Sequence, residues 1–395
     1  MAITDSIKQI LSVKIKPRHD SYSDQFSRIF MVKIMMISAL LVGLSWYTDK
    51  INCIIPSALG VDGNFVAQAC WINGLYVYKD IRYHVNDIGY YGLPRDINND
   101  GMFENGDICA TTDSSHRVNE KCRPMEKTFY LQYQYMTFIM AALAVLYYAP
   151  YAFFRLINQD IVSLKGSIND NDAEGIVKNY FNYKINSEFR MRMRIIGNIM
   201  IKLLYIVGNV AAFLIVDGVL NGDYKTYGIT WTTWSKLPNS MAYDYMGQRL
   251  SAKPGNILLP SFAFCEVHEA AQDIKNVITN KHKFVCELSQ HILYQYVFII
   301  CWFTMVISIA VAVLGFIMQI AEHIMTMACF MKGGAPARKM YQVLTLRECE
   351  YLEYIRRKNM PLYGAVIQKL KEERYDGLAN DQKPMYDGGN SYEMN

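Results

Sequence analysis

Four stretches of the chain are almost uniformly apolar, and the residues between them are polar. Residues 29–48, 129–154, 195–220 and 292–322 each carry a long hydrophobic run. Each is about as long as the ~20 residues a helix needs to cross a hydrocarbon core. The pattern predicts an all-α membrane protein built on four transmembrane helices. The remainder divides into an N-terminal segment of residues 1–28, connections at 49–128, 155–194 and 221–291, and a tail at 323–395.

The flanking charges give the spans a direction. Lys14, Lys16, Arg18 and Arg28 precede span one, Arg155 follows span two, and Arg190, Arg192 and Arg194 abut span three. Basic residues beside a span favour the cytoplasm. Residues 1–28 have no short apolar core with a small-residue cut, so span one is expected to act as its own signal anchor. With both termini inside, 49–128 and 221–291 become extracellular loops. The cysteines agree independently: of the nine in the chain, Cys53, Cys70, Cys109, Cys122, Cys265 and Cys286 fall in these two loops. Disulfides persist outside the cell, and the spacing alone leaves their connectivity open.

Composition narrows the class without deciding the function. The chain has 395 residues, 52% of them hydrophobic and 13% aromatic, which suits a polytopic membrane protein. A net charge of +4 with no basic patch interleaved with aromatics gives no argument for nucleic acid, and no nucleic-acid partner is expected; the lipid bilayer is the implied surroundings. Inside the spans, Gln132, Gln134, Asn198, Lys202 and Asn209 are expected to face other helices or a cavity. Lys33, about one turn into span one, either snorkels to the headgroups or faces a water-filled pore. Asp24 is placed to cap the helix entering span one. On the cytoplasmic side, Ala173–Phe181, Met340–Asn359 and Leu362–Arg374 read as helices, with Pro361 at a natural start. The end from Gly377 onward reads as disordered.

Catalytic chemistry is not legible. No phosphate loop, nucleophile elbow or Cys-x-x-Cys pair occurs, and His268-Glu269-Ala270-Ala271-Gln272 lacks the second histidine of a zinc-protease helix. The chain is not read as an enzyme, and no cofactor is required. One segment does carry coordination chemistry: Asp96, Asn98, Asp100, Glu104 and Asp107 place side-chain oxygens at positions 1, 3, 5, 9 and 12 of a calcium loop, with Gly101 at position 6 and the Met102 carbonyl at 7. Aspartate at position 12 shortens the usual reach and predicts a weak calcium site, with an Asp/Asn/Gly-rich surface turn as the alternative. Cys109 follows directly, and a bridge to Cys122 would anchor one end of the loop. No N-x-[ST] acceptor occurs, so the outer loops carry no N-linked glycans.

Several of these residues resemble innexins, the invertebrate gap-junction proteins. Cys53-Ile54-Ile55-Pro56 and Cys70-Trp71-Ile72-Asn73-Gly74-Leu75-Tyr76 are similar to the family's first outer loop. Phe264-Cys265, Phe284-Val285-Cys286-Glu287-Leu288 and Tyr296 to Phe303 resemble its second loop and last span, and Asp24 to Arg28 its segment before span one. The family's Tyr-Tyr-Gln-Trp signature appears as Gln132-Tyr133-Gln134-Tyr135, without the tryptophan, and Tyr148-Ala149-Pro150 matches its proline-containing stretch. The first outer loop is longer than usual, and the excess holds Cys109, Cys122 and the calcium-like segment.

The resemblance implies a homo- or hetero-oligomeric ring, octameric in the family, around a wide pore lined by the N-terminal segment and span one. It implies that Cys53, Cys70, Cys265 and Cys286 bridge loop one to loop two. It also implies docking of a second ring in an apposed cell at a junction of the plasma membrane, with an undocked hemichannel as a variant. A pannexin-like channel that never docks and a four-span adhesion or scaffold protein are the rivals.

Overall fold

The protein is described by a computed structural model over residues 20–48, 51–57, 60–82, 88–112, 117–182, 185–238, 253–272, 277–331 and 344–372. The expectations for residues 1–19, 340–343 and the tail from Gly377 lie outside these residues. Among the described residues, four helices are long and apolar enough to cross a membrane. The first, α1, joins Tyr22–Gln25, a π-helical stretch Phe26–Met31 and Val32–Thr48. The others are α3 (Gln132–Ile157), α6 (Glu188–Val219) and α9 (Ser289–Met325, continued by a π-helical stretch Thr326–Met331). Their polar connections hold the shorter helices α2 (Gly63–Asn73), α4 (Gln159–Asn169), α5 (Ala173–Tyr180), α7 (Tyr227–Trp234) and α8 (Pro254–Leu258), and the tail after the last span holds α10 (Leu346–Lys358) and α11 (Met360–Leu370).

The chain divides into two compact units, one of Met1–Lys33, Val145–Ala211 and Ile307–Asn395, the other of Ile34–Ala144 and Ala212–Val306. In the first unit the cap of α1 is Ser21, not Asp24: its hydroxyl accepts from the Asp24 amide at 3.4 Å. Asp24 is one turn inside, where its carboxylate is used by a helix partner. Short helices in this unit start on the residues that free amides need. Asp172 caps α5, Thr345 and Glu348 form a capping box on α10, and Asn359 caps α11, with Pro361 in its first turn. Their apolar faces meet in one core that includes Leu164, Ile176, Tyr351, Leu352, Ile355 and Val366. The periodicity is helical and the charged faces stay outside, which is how four short helices hold together.

The second unit adds β-structure that the span pattern did not show. A five-stranded sheet runs in the order β1-β10-β9-β2-β8, with β1 Asn52–Cys53, β2 Leu75–Tyr78, β8 Lys127–Tyr130, β9 Phe262–Gln272 and β10 Val277–Glu287. Strands β9 and β10 are an antiparallel pair in register over their full length, Phe262 opposite Glu287 and Gln272 opposite Val277. All four residues of β2 are buried, because it lies between β8 and β9 and is covered on both faces. Two smaller sheets pair β3 (Ile88–Tyr90) with β4 (Leu93–Pro94), and β5 (Gly101–Met102) with β6 (Ile108–Cys109) and β7 (Arg123–Pro124). The protein is thus mostly helical with four spans, and one sheet ties the connection after span one to the connection after span three.

Candidate functional site

The sheets of the second unit, called the cap below, are stapled at three places. Cys53 is joined to Cys286, Cys70 to Cys265, and Cys109 to Cys122. Two of these bridges cross from the first polar connection to the third. Their placement follows from the sheet: Cys53 lies opposite Cys286 in the β1–β10 pair, while Cys265 of β9 meets Cys70 from the buried face of α2. The sulfurs of Cys53, Cys70 and Cys286 all lie within 4.8 Å of one another. Cys301 and Cys349 are buried free thiols, and burial pushes the Cys349 thiol up to about 12, away from reactivity.

Aromatic rings fill the cap and cations sit over them. Tyr76 and Tyr78 pack against Phe264 at centroid distances of 6.0 Å, and the Lys283 ammonium lies 4.1 Å from the Phe264 ring. Lys283 also donates to the Tyr78 hydroxyl at 3.0 Å and to the Ile97 carbonyl at 2.8 Å. Burial pulls its pKa down to about 8 against the opposing carboxylates of Asp100 and Glu266. Glu266 on β9 collects Lys127 at 2.6 Å, Lys281 at 2.8 Å and the Tyr76 hydroxyl. Burial alone would raise the Glu266 pKa, but hydrogen bonds from Lys127 and Lys281 hold it down at about 2.

The sign of the linkage follows from that depression. A carboxylate with a folded pKa of about 2 stabilises the cap above its ordinary value of 4.5 and loses that contribution as pH falls from there toward 2. Acidification through this window is expected to increase amide exchange in β9 and β10 of the wild type and to change the Glu266→Gln variant far less. Hydrogen-exchange mass spectrometry at matched chemical exchange rates measures it.

The segment proposed as a calcium loop folds in another register. Gly101 has no left-handed φ and lies in β5, where an added Cβ would come within 2.5 Å of the Cys122 sulfur and 2.8 Å of the Arg123 carbonyl. The turn is made instead by Gly106, at φ 88°, closing the β5–β6 hairpin. The oxygens are engaged locally: Asp96 accepts from the Asn98 amide at 3.0 Å, Asp107 from the Asn105 amide group at 2.6 Å, and Asp100 from both the amide and hydroxyl of Thr111 at 2.8 Å. Among the described residues, Asp96, Asp100, Glu104 and Asp107 do not form a cluster within ligating distance. Asp100→Ala is therefore expected to loosen residues 100–111 by about 1–3 kcal/mol, with or without calcium. Amide exchange of that segment in calcium and in chelator checks both halves of the expectation.

Where the cap meets the spans, residues of the Tyr-Gln signature hold the end of α2. Tyr133 and Gln134, at the start of α3, donate to the Trp71 carbonyl at 2.8 and 2.6 Å. Arg82 gathers the other connections, donating to the Ile257 carbonyl at 3.0 Å and to the Tyr130 hydroxyl, and pairing with Asp223 at 3.4 Å.

In the first unit the polar residues of the spans have found helix partners. Lys202 of α6 is buried and pairs with Asp24 at 2.7 Å, donating also to Ser23 at 3.1 Å and to Ser21. Asn209 donates to Ser27 at 3.2 Å and accepts from Ser308, linking α6 to α1 and α9. Asn198 accepts from Asn158 at 2.6 Å. Lys33 is half-buried on α1.

A second polar centre, at the short-helix cluster, was not anticipated. Arg347 is wholly buried; it donates to both oxygens of Asp160 at 2.9 Å and to Asn158 at 2.7 Å, and pairs with Glu350 at 2.5 Å. Asp160 also receives Arg194 at 3.1 Å and the Tyr351 hydroxyl, while Glu350 meets His323 at 2.8 Å. Burial would depress the Arg347 pKa, but the carboxylates of Glu350 and Asp160 raise it, so it is charged. Its signal in the sequence was position: Arg347 shares a helical stripe with Tyr351 and Ile355, both buried.

The second unit is cross-linked by three disulfides, and no described group of residues makes a catalytic constellation. Residues 20–369 match the sequence model of one protein family, Innexin. The chain belongs to the innexin family. No curated protein matches it at a significant level. Innexins are a channel family, and this innexin is a multi-pass membrane subunit of a gap-junction-type channel that works as an oligomer. The match runs from α1 to α11 and takes in the bridges Cys53–Cys286 and Cys70–Cys265 together with Arg347 and Asp160.

Proposed function

We propose that this innexin assembles, with copies of itself or with relatives, into a ring whose pore passes ions and small metabolites from one cell to the next. The observation that carries the reading is the double staple of the cap, by which Cys53–Cys286 and Cys70–Cys265 bind both polar connections to one sheet. Such a cap holds a stiff surface for a second ring in an apposed membrane. The disulfides support a cap outside the cell, and the basic residues around Arg155 and Arg190 to Arg194 support both termini and the short-helix cluster inside. The ring is octameric by family resemblance. Span one and the N-terminal segment line the pore, with Lys33 contributing positive charge there. An unpaired ring serves as a hemichannel.

Dye transfer between paired cells that each express only this chain tests the reading. Transfer that disappears when one cell of the pair lacks the protein is expected. Absence of transfer with normal surface delivery would exclude homotypic junctions and favour the non-docking, pannexin-like alternative, which uptake of the same dye by single cells would then reveal.

A further inference from the structure

The two long-range bridges of the cap are close enough to react with each other. The Cys286 sulfur of one lies 4.0 Å from the Cys70 sulfur of the other, close to sulfur–sulfur contact distance. Cys70, Cys265 and Cys286 are each 0% exposed, whereas Cys53 is partly exposed. Solvent therefore reaches one end of one bridge only, and the buried end of that bridge rests against the next.

We propose that this four-cysteine cluster is a thiol–disulfide exchange site, opened by a small extracellular thiol at Cys53. The thiolate attacks the Cys53 sulfur, forms a mixed disulfide there and expels Cys286 as a thiolate. Cys286 attacks Cys70, forms Cys70–Cys286 and expels Cys265, which takes up the proton the incoming thiol gave up. The number of disulfides is conserved: one small thiol is consumed and one protein thiol, Cys265, is released. No oxidant is needed, because each step exchanges one sulfur–sulfur bond for another.

The two states differ in what they hold. In the original pairing β1 is tied covalently to β10; after exchange it keeps only its short backbone pairing, Asn52 with Glu287 and Cys53 with Cys286, and the Ile54 amide to Val285 carbonyl bond of 2.9 Å. The connection between α2 and β10 becomes covalent in its place. The segment leaving span one is thus released while the sheet stays stapled, a change confined to the surface that faces the extracellular medium in the proposed orientation. The third bridge, Cys109–Cys122, lies on the separate β5–β6–β7 sheet and takes no part.

The test uses the purified full-length protein in lipid nanodiscs, treated with limiting reduced glutathione, quenched in acid, blocked with N-ethylmaleimide and mapped as non-reduced peptides. The expected products are a linked Cys70–Cys286 peptide, glutathione on Cys53 and maleimide on Cys265. Maleimide on Cys286 with Cys70–Cys265 intact would overturn the exchange. So would an unmodified Cys53, or scrambling of Cys109–Cys122 to the same extent. The Cys53→Ser variant, which starts with Cys286 free, gives a second reading: Cys70–Cys286 with a free Cys265 is expected without added thiol, and retention of Cys70–Cys265 overturns the proposal. If that variant does not fold, the wild-type map still decides.

Discussion

Replacing Arg347 with alanine is expected to open the short-helix cluster, lowering the local stability of α10 and α11 by about 3–5 kcal/mol. That is the range for removing one partner of a buried ion pair, where most of the loss comes from the charge left behind. Here the residue left behind is Asp160, buried and still facing Arg194 and Tyr351, with Glu350 reduced to its contact with His323. Amide protection across residues 346–370 should fall by about two to four orders of magnitude, since ~1.36 kcal/mol corresponds to a factor of ten. The paired variant Arg347→Met with Asp160→Asn removes the stranded charge and is expected to recover much of the protection, because apolar or neutral replacement of a whole buried pair is often tolerated. Unchanged protection in Arg347→Ala would show that Asn158, Arg194 and Tyr351 satisfy Asp160 without it.

The features that were legible in the sequence are those with a local period. The spans announce themselves by continuous hydropathy, and α10 and α11 by spacing and Pro361, although the helix expected from Met340 passes over Thr345, which caps α10 just before Leu346. The sheet is different in kind. Strand β1 is two residues long, and β2 pairs with β9 through Tyr76 and Phe264, nearly two hundred positions apart, so no window of sequence contains the information. At Gly101 composition pointed to a cation loop, whereas the contact that calls for a glycine there, the nearby Cys122 sulfur, comes from a part of the chain no local window includes. Asp24 and Lys202 illustrate the same limit: each was visible as a polar residue at a span, but their pairing depends on how α1 and α6 pack in the first unit. Arg347 looked like one more charge on a mixed-charge helix, and only its place on the Tyr351–Ile355 stripe distinguished it. The cysteines were the exception, because oxidising chemistry restricts where they can sit even when their partners cannot be read.

Deleting the Cys70–Cys265 bridge, as Cys70→Ala with Cys265→Ala, is expected to destabilise the cap by about 4 kcal/mol, less than its sequence separation of 195 suggests. The reason is the neighbouring bridge. With Cys53–Cys286 intact, the unfolded chain can pass from Cys70 to Cys265 through that link, a path of roughly 38 residues rather than 195. Chain entropy depends on the logarithm of the shorter loop. Removing Cys53–Cys286 as well then frees the full loop, so the second deletion should cost about 5 kcal/mol, more than either deletion made alone. All five tryptophans lie in the unit that contains the cap, so their emission during denaturant unfolding in detergent follows this unit. Equal losses for the first and second deletions would mean that the bridges act on native packing around Cys70 and Cys286 rather than on the unfolded chain. A second loss larger than the first identifies them as nested constraints. The same ordering explains why two staples are placed side by side: the second bridge adds little reach to the first, but it keeps α2 fixed to the sheet when the first is open.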